Sequence, residues 1–227
     1  KLGAESLRGA RYPAGNGEEG EGASTLFIKT GGDVGDSHAW QLGLSQWQAN
    51  VTGRSASAHD HGGTATEIPS FSGNSRVQGI DLVWKWAPKG NATQTNLKIQ
   101  AEYFVRDEEG TVEMLGSDPL ESSSYLGKQS GWYLQTIYQF IPRWRMGLRY
   151  DQLQANNSGS DELILQEAGL DNEGLNPHRT TLMLDYSRSE YSRIRLQYAQ
   201  DDSYEDGDNI LFVQYIMSLG AHGAHRY

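Results

Sequence analysis

The chain has no cysteine among its 227 residues, which removes disulfides and every cysteine-based metal or redox site. Positive charge is scarce: 19 Lys and Arg stand against 29 Asp and Glu, and the net charge of −10 argues against nucleic acid as a partner. The chain also lacks any apolar run near the roughly 18 residues that a membrane helix needs, and its mean hydropathy is −0.64. A transmembrane helix is thereby excluded. Membrane-crossing strands are not, because alternation leaves only about half of such a strand apolar. No leader is visible at Lys1-Leu2-Gly3-Ala4, so the expectation is either a removed leader or the C-terminal part of a longer protein.

What the sequence does have is period-two alternation. In Thr180–Ser187, Leu182, Leu184 and Tyr186 share one parity, with Thr181, Asp185 and Ser187 on the other. Ile194, Leu196 and Tyr198 then alternate with Arg193, Arg195 and Gln197, and from Asn209 onward Leu211, Val213, Tyr215, Met217 and Leu219 keep one parity. The pattern recurs upstream. Ile80, Leu82, Trp84 and Trp86 are answered by Leu97, Ile99, Ala101, Tyr103 and Val105, and Trp132–Phe140 by Trp144–Tyr150 across Ile141-Pro142-Arg143. With Thr25–Lys29 and Ser37–Val51 these runs predict about nine strands, with residues 1–23 a mobile loop or tail and 24–227 a strand domain. In Ser37–Val51 the apolar parity changes from Trp40, Leu42 and Leu44 to Trp47, Ala49 and Val51, which predicts a bulge or an exit from the membrane near Ser45. Glu162–Ala168 is expected as a short helix.

Link lengths decide between architectures. Short links near 31–37, 87–96, 141–143 and 187–190 alternate with long ones at 53–76, 107–128 and 154–177. Tight turns at one end and long loops at the other are the pattern of an outer-membrane barrel. A soluble sandwich has no reason to segregate them. From Trp132 to Phe140, eight steps at about 3.3 Å and a tilt of about 40° span roughly 20 Å along the membrane normal. The expected fold is therefore an all-β, antiparallel up-and-down transmembrane β-barrel, or part of a larger one.

The segments Gly131–Gln135, Arg149-Tyr150-Asp151, Met183–Ser187, Arg193–Tyr198 and the tail Gln214–Tyr227 resemble the C-terminal barrel half of Gram-negative outer-membrane proteins. More narrowly, they look like zinc-regulated, TonB-dependent-receptor-like or porin-like proteins. The resemblance implies a cell outer-membrane location, passage or uptake of a small solute or metal species, and lipid and lipopolysaccharide as surroundings. It also implies that the barrel-assembly machinery reads the tail through Tyr227, with Leu219 and Tyr215 on the same face. No plug domain or energy-coupling box is visible, so active transport is not carried over. The odd strand count implies further strands upstream.

Several groups bear chemistry. His59-Asp60-His61 offers ligand types suited to zinc or another divalent ion, set against a solvated polar loop. His222 and His225 are three apart and would face opposite sides of a strand. The acidic Asp201–Asp208 stretch lacks EF-hand spacing and reads equally as a solvated face. Arg145, Arg149, Arg193 and Arg195 share the inward parity, so they line an aqueous lumen and favour anions, or else pair with Asp151, Asp185 and Glu102 as interior bridges. A hydrolase would need Ser130 and His178 together with a third polar member, and nothing local supports it. No enzyme activity and no obligatory cofactor are expected. The alternative to a transport barrel is a structural or adhesive one that binds partners through its outer loops.

Overall fold

The computed structural model describes residues 1–15, 22–55, 67–171, 174–203 and 206–218. Ten strands form one sheet in sequence order, each antiparallel to its neighbour. They are β1 (Leu2–Leu7), β2 (Ala23–Val34), β3 (His38–Ser55), β4 (Ile68–Trp86), β5 (Asn96–Leu115), β6 (Glu121–Ile141), β7 (Trp144–Gly159), β8 (His178–Ser189), β9 (Ser192–Asp202) and β10 (Asp208–Met217). A six-residue helix, α1 (Glu162–Glu167), interrupts the β7–β8 connection. The all-β up-and-down architecture matches the expectation. Among the described residues the sheet is open, with β1 paired to β2 and β10 to β9.

The tenth strand comes from the segment expected as a loop or tail. Leu2–Leu7 pairs residue for residue with Ala23–Ile28, and the Lys1 backbone nitrogen donates to the Lys29 carbonyl at 2.6 Å. Its alternation is too short to stand out, and it is the hydrogen-bonding edge of β2 that holds it in strand form.

Across the middle of the sheet, one face carries apolar residues into the surroundings. Leu148 is 51% exposed, Leu196 44% and Val213 73%, values that would be costly in water over so continuous a patch and that suit hydrocarbon. Aromatic rings mark its edges. Trp132 packs against Tyr150 at 5.3 Å between centroids on the long-link side, and Trp144 against Tyr186 at 4.9 Å on the short-turn side.

Of the expected long loops, 107–128 is strand on either side of Gly116–Leu120 and 68–76 belongs to β4, while among the described residues 154–177 holds only the end of β7 and α1 as regular structure. β4, β5 and β6 run 19, 20 and 21 residues, well beyond the nine to eleven or so that cross a bilayer. The chain between β5 and β6 is only Gly116–Leu120. In these extensions the two faces exchange polarity. The outward parity of β3 passes from Trp40, Leu42 and Leu44 to Gln46, Gln48 and Asn50 with no change of register; the bulge lies later, between Val51 and Arg54. Of the two expectations for Ser45, an exit from the apolar zone is what occurs. On the inner side, Val51, Phe71, Val112, Met114 and Tyr125 form a buried cluster closed by Ile164, Leu165 and Ala168 from α1. Phe71 and Tyr125 meet edge to face at 5.5 Å. Asp161 starts the helix, its carboxylate accepting from the Leu163 and Ile164 amides.

Arg76 lies opposite Asp107, Lys128 opposite Asp107, and Gln154 opposite Ser130, so the three long links share one end of the sheet. The Ile141–Arg143 and Ser189–Ser192 turns lie at the other.

Depth along one outward face gives a test. Leu148→Arg and Leu196→Arg should each cost about 2–4 kcal/mol in a lipid-folding titration, while Gln46→Arg, on the same face of β3 but beyond the apolar zone, should cost no more than about 1 kcal/mol. Equal costs would mean that the polarity exchange does not mark a membrane boundary. Phe71→Ala, inside the capped cluster, should lose about 3–5 kcal/mol wherever the membrane lies.

Candidate functional site

The inner face of the membrane zone is charged, and strand register arranges its charges in rows. One row runs Lys29, Gly43, Asp81, Glu102, Tyr133, Asp151, Arg179, Asp201 across β2–β9. Lys29 Nζ reaches Asp81 Oδ1 at 3.1 Å. Gly43 makes this possible: a Cβ there would stand 1.9 Å from Asp81 Oδ2. Arg179 pairs with Asp201. The Arg149 guanidinium lies over the Tyr133 ring, 3.8 Å from its centroid, while its Nε donates to Asp151 at 2.9 Å. Glu102 faces Tyr133 directly across β5 and β6.

The four sequence-predicted arginines do lie on this inner face, in two clusters. Arg149 stands in the first, bound to Asp151. Arg193 and Arg195 converge on Asp185, which is 1% exposed; Arg195 Nε and Nη2 reach its two oxygens at 2.7 and 2.9 Å and Arg193 Nη1 stands 3.4 Å away. Arg145 has a neutral partner, its Nε donating to Gln139 Oε1 at 3.3 Å. Gln139 is itself buried and donates to the Thr93 carbonyl at 2.8 Å, so it fastens the β4–β5 turn and Arg145 together. Asp151 and Asp185 therefore act as the bridge partners that the sequence offered, while Glu102 stands opposite Tyr133.

His59, Asp60 and His61 lie outside the described residues, as do Leu219, Tyr227, His222 and His225. Tyr215 is on the outward face of β10, in phase with Leu211, Val213 and Met217, and 66% exposed. Among the described residues, no three His, Asp or Glu side chains cluster as metal ligands would. Ser130 and His178 are not neighbours: Ser130 pairs with Gln154 and His178 with Gln152, so β7 stands between them. His178 Nε2 is 3.4 Å from Asp202 Oδ2.

Two groups escaped the sequence reading. Lys85 and Lys98 face each other directly across β4 and β5 on the inner side. Counting outward from the Pro88-Lys89-Gly90 turn along two strands of known parity would have found them. The second is Glu108, 4% exposed in the extension beyond the membrane zone. It accepts from Arg54 Nη1 and Nη2 at 2.7 and 2.9 Å and from the Ser75 hydroxyl at 2.7 Å, with Arg106 Nε 3.8 Å away. Burial alone would push its carboxyl up. The Arg54 hydrogen bonds, the fields of Arg106 and Arg54, and the Ser75 hydrogen bond outweigh burial and hold it below the ordinary carboxylate range. Beside it, burial first and the Glu108 charge second push Tyr125 up to about 12.

No family model matches the chain. An uncharacterized protein of Aquifex aeolicus (strain VF5) is 30% identical over 207 residues, covering 88% of this chain and 40% of that protein, so the chain spans about two fifths of its curated relative. Among solved structures it is similar to OmpTdeltaL8, the loop L8 deletion mutant of OmpT, an outer membrane protein of Vibrio cholerae. The TM-score is 0.50 at 12% identity, over 87% of this chain and 54% of that one. A NanC porin superposes with a TM-score of 0.36 at 10% identity, over 96% and 98% of the two chains, too loosely to carry weight. The fold is that of an outer-membrane β-barrel wall, consistent with a place in the cell outer membrane.

Because the folded-state pKa of Glu108 lies below its unfolded value, its contribution to stability is present above the ordinary carboxylate range and lost as pH falls through and below the folded value. Amide protection factors in the Phe71–Tyr125 region, corrected for the intrinsic pH dependence of exchange, should therefore fall on acidification below about pH 4. Glu108→Gln, which strands a largely buried Arg54, should cost about 3–5 kcal/mol at neutral pH and flatten that acid dependence. An unchanged acid profile in the variant would show that another group governs it.

Proposed function

We propose that the chain forms wall of a porin-type outer-membrane barrel through which small solutes pass, without catalysis. The observation that carries this is the pairing of an exposed apolar outer band with a charged, hydrogen-bonded inner face on the same strands. Charged side chains opposite a lipid-facing surface need water or ion-pair partners, and a solvent-filled lumen supplies the first. Among the described residues the outer edges of β1 and β10 have no partner strand, and further strands there would complete the wall. Most charged residues of that wall are neutralised in pairs, so selectivity should be modest and should follow the cations without a carboxylate of their own: Lys85, Lys98, Arg145, and the Arg193–Arg195 pair on one carboxylate. The receptor-like and zinc-regulated resemblance rests on sequence alone, and uptake of a metal species would fall to His59, Asp60 and His61. Lipid and lipopolysaccharide around the outer band, and recognition of the Tyr215–Tyr227 tail by the barrel-assembly machinery, belong to the same proposal.

One observation favours a second reading, a structural or adhesive barrel. The extension beyond the membrane has its own capped core and a polar outer surface, a rigid platform for a partner.

Conductance separates the two. The intact protein in a planar bilayer should conduct with mild anion preference. Arg149→Gln with Arg193→Gln should move the reversal potential toward cations under a salt gradient, and the shift should shrink at high ionic strength. Asp185→Asn should move it the opposite way. A folded protein without conductance would put the adhesive reading first.

A further inference from the structure

Lys85 and Lys98 occupy directly opposed positions on the inner face, where Cβ atoms stand about 4.5–5.5 Å apart and like charges repel. Among the described residues neither makes an ion pair. The cavity they line, about 880 Å³ at the short-turn end, is also lined by Lys89 and Arg145 and by only two carboxylates, Asp33 and Asp36. Arg145 is held in place by buried Gln139, which at the same time ties the 92–94 turn to the wall. A set of cations fixed in this way, with too few anions to match, is built to receive a negative charge from solution.

The same register row continues from Lys98 into Ile137, Gly147 and Met183. Met183 lies across Gly147, its Cε 3.0 Å from where a Cβ on that glycine would sit. The strip is apolar although it faces inward, and at about 4.8 Å per strand it reaches roughly 14 Å from Lys98 to Met183. Cations at one end and a smooth apolar surface beside them match a molecule with a charged head and an apolar body.

We propose that Lys85, Lys98 and Arg145 bind the carboxylate of a small organic acid whose apolar body lies on Ile137 and Met183. The site rests on the reading of the inner face as a solvent-filled lumen. The ligand class is a monocarboxylate with a hydrocarbon or aryl body, held by charge at one end and by burial at the other.

Calorimetric titration of the intact protein in detergent with benzoate and with acetate, run beside bilayer conductance, tests both layers. Benzoate should bind about tenfold more tightly than acetate, the difference that partial burial of a ring supplies. Lys85→Gln with Lys98→Gln should weaken both acids tenfold or more, by the loss of two nearby charges. That variant should fold at least as well as the parent, since it removes a repulsion. Ile137→Thr should narrow the benzoate-to-acetate ratio to about threefold or less. Equal binding of the two acids, no binding of either, or indifference to the lysine substitutions would overturn the site. Conductance without benzoate preference would overturn it and leave the porin-type reading standing; benzoate preference without conductance would support the site and sink passage.

Discussion

A β-strand that passes from hydrocarbon into water must exchange its two faces, and much of this molecule follows from that requirement. Inside the membrane zone the backbone has to satisfy its hydrogen bonds within the sheet, and the outward side chains have to be apolar. Beyond it the outward side chains must be polar, and the inward ones become available for a core. β3, β4 and β5 make the change without breaking their pairing: Leu44, Ile80 and Tyr103 give way outward to Gln48, Arg76 and Asp107, while Val51, Phe71 and Val112 appear within. One continuous ladder thus serves two solvents.

The packing of the inner wall has its own device. Large inward side chains lie over glycines on the adjoining strand: Phe27 over Gly3, Asp81 over Gly43, Phe104 over Gly79, Phe71 over Gly110 and Met183 over Gly147. A Cβ at Gly43 or Gly3 would come within 1.9 and 2.4 Å of the covering side chain. These gaps let bulky or charged groups fold flat against the inner wall, and the Lys29–Asp81 pair is formed across one of them.

The polarity exchange also explains what could and could not be seen in the sequence. Runs such as Trp132–Phe140 and Arg193–Tyr198 were legible because one face is apolar and the other charged throughout. The segments 68–76, 107–115 and 121–128 read as loops because a glycine-rich inward face with Ser75, Glu108 and Ser123 among its apolar members blurs the alternation. The short helix at Glu162 was visible, but its role as the lid of a core was not, because that core does not exist until the strand extensions are recognised. The inward arginines could be placed by parity. Their partners depended on cross-strand register, which a single strand's pattern does not contain, and so Asp151 and Asp185 were offered only as alternatives. Lys85 and Lys98 lay within reach of the same reasoning, since a tight turn fixes register over the residues that flank it.

The continuity of β4, β5 and β6 from the capped core to the Gln139-fastened turn has a mechanical consequence. Three adjacent strands with unbroken hydrogen bonding behave as a stiff plank rather than as a platform on a flexible stalk. Bending or displacing it at the Phe71–Tyr125 end tilts the ladder as a body, and the rotation arrives at the opposite end where Arg145 and the β4–β5 turn share one glutamine. Shape at one end of the plank is therefore a boundary condition on strand spacing at the other, set by the elasticity of the sheet.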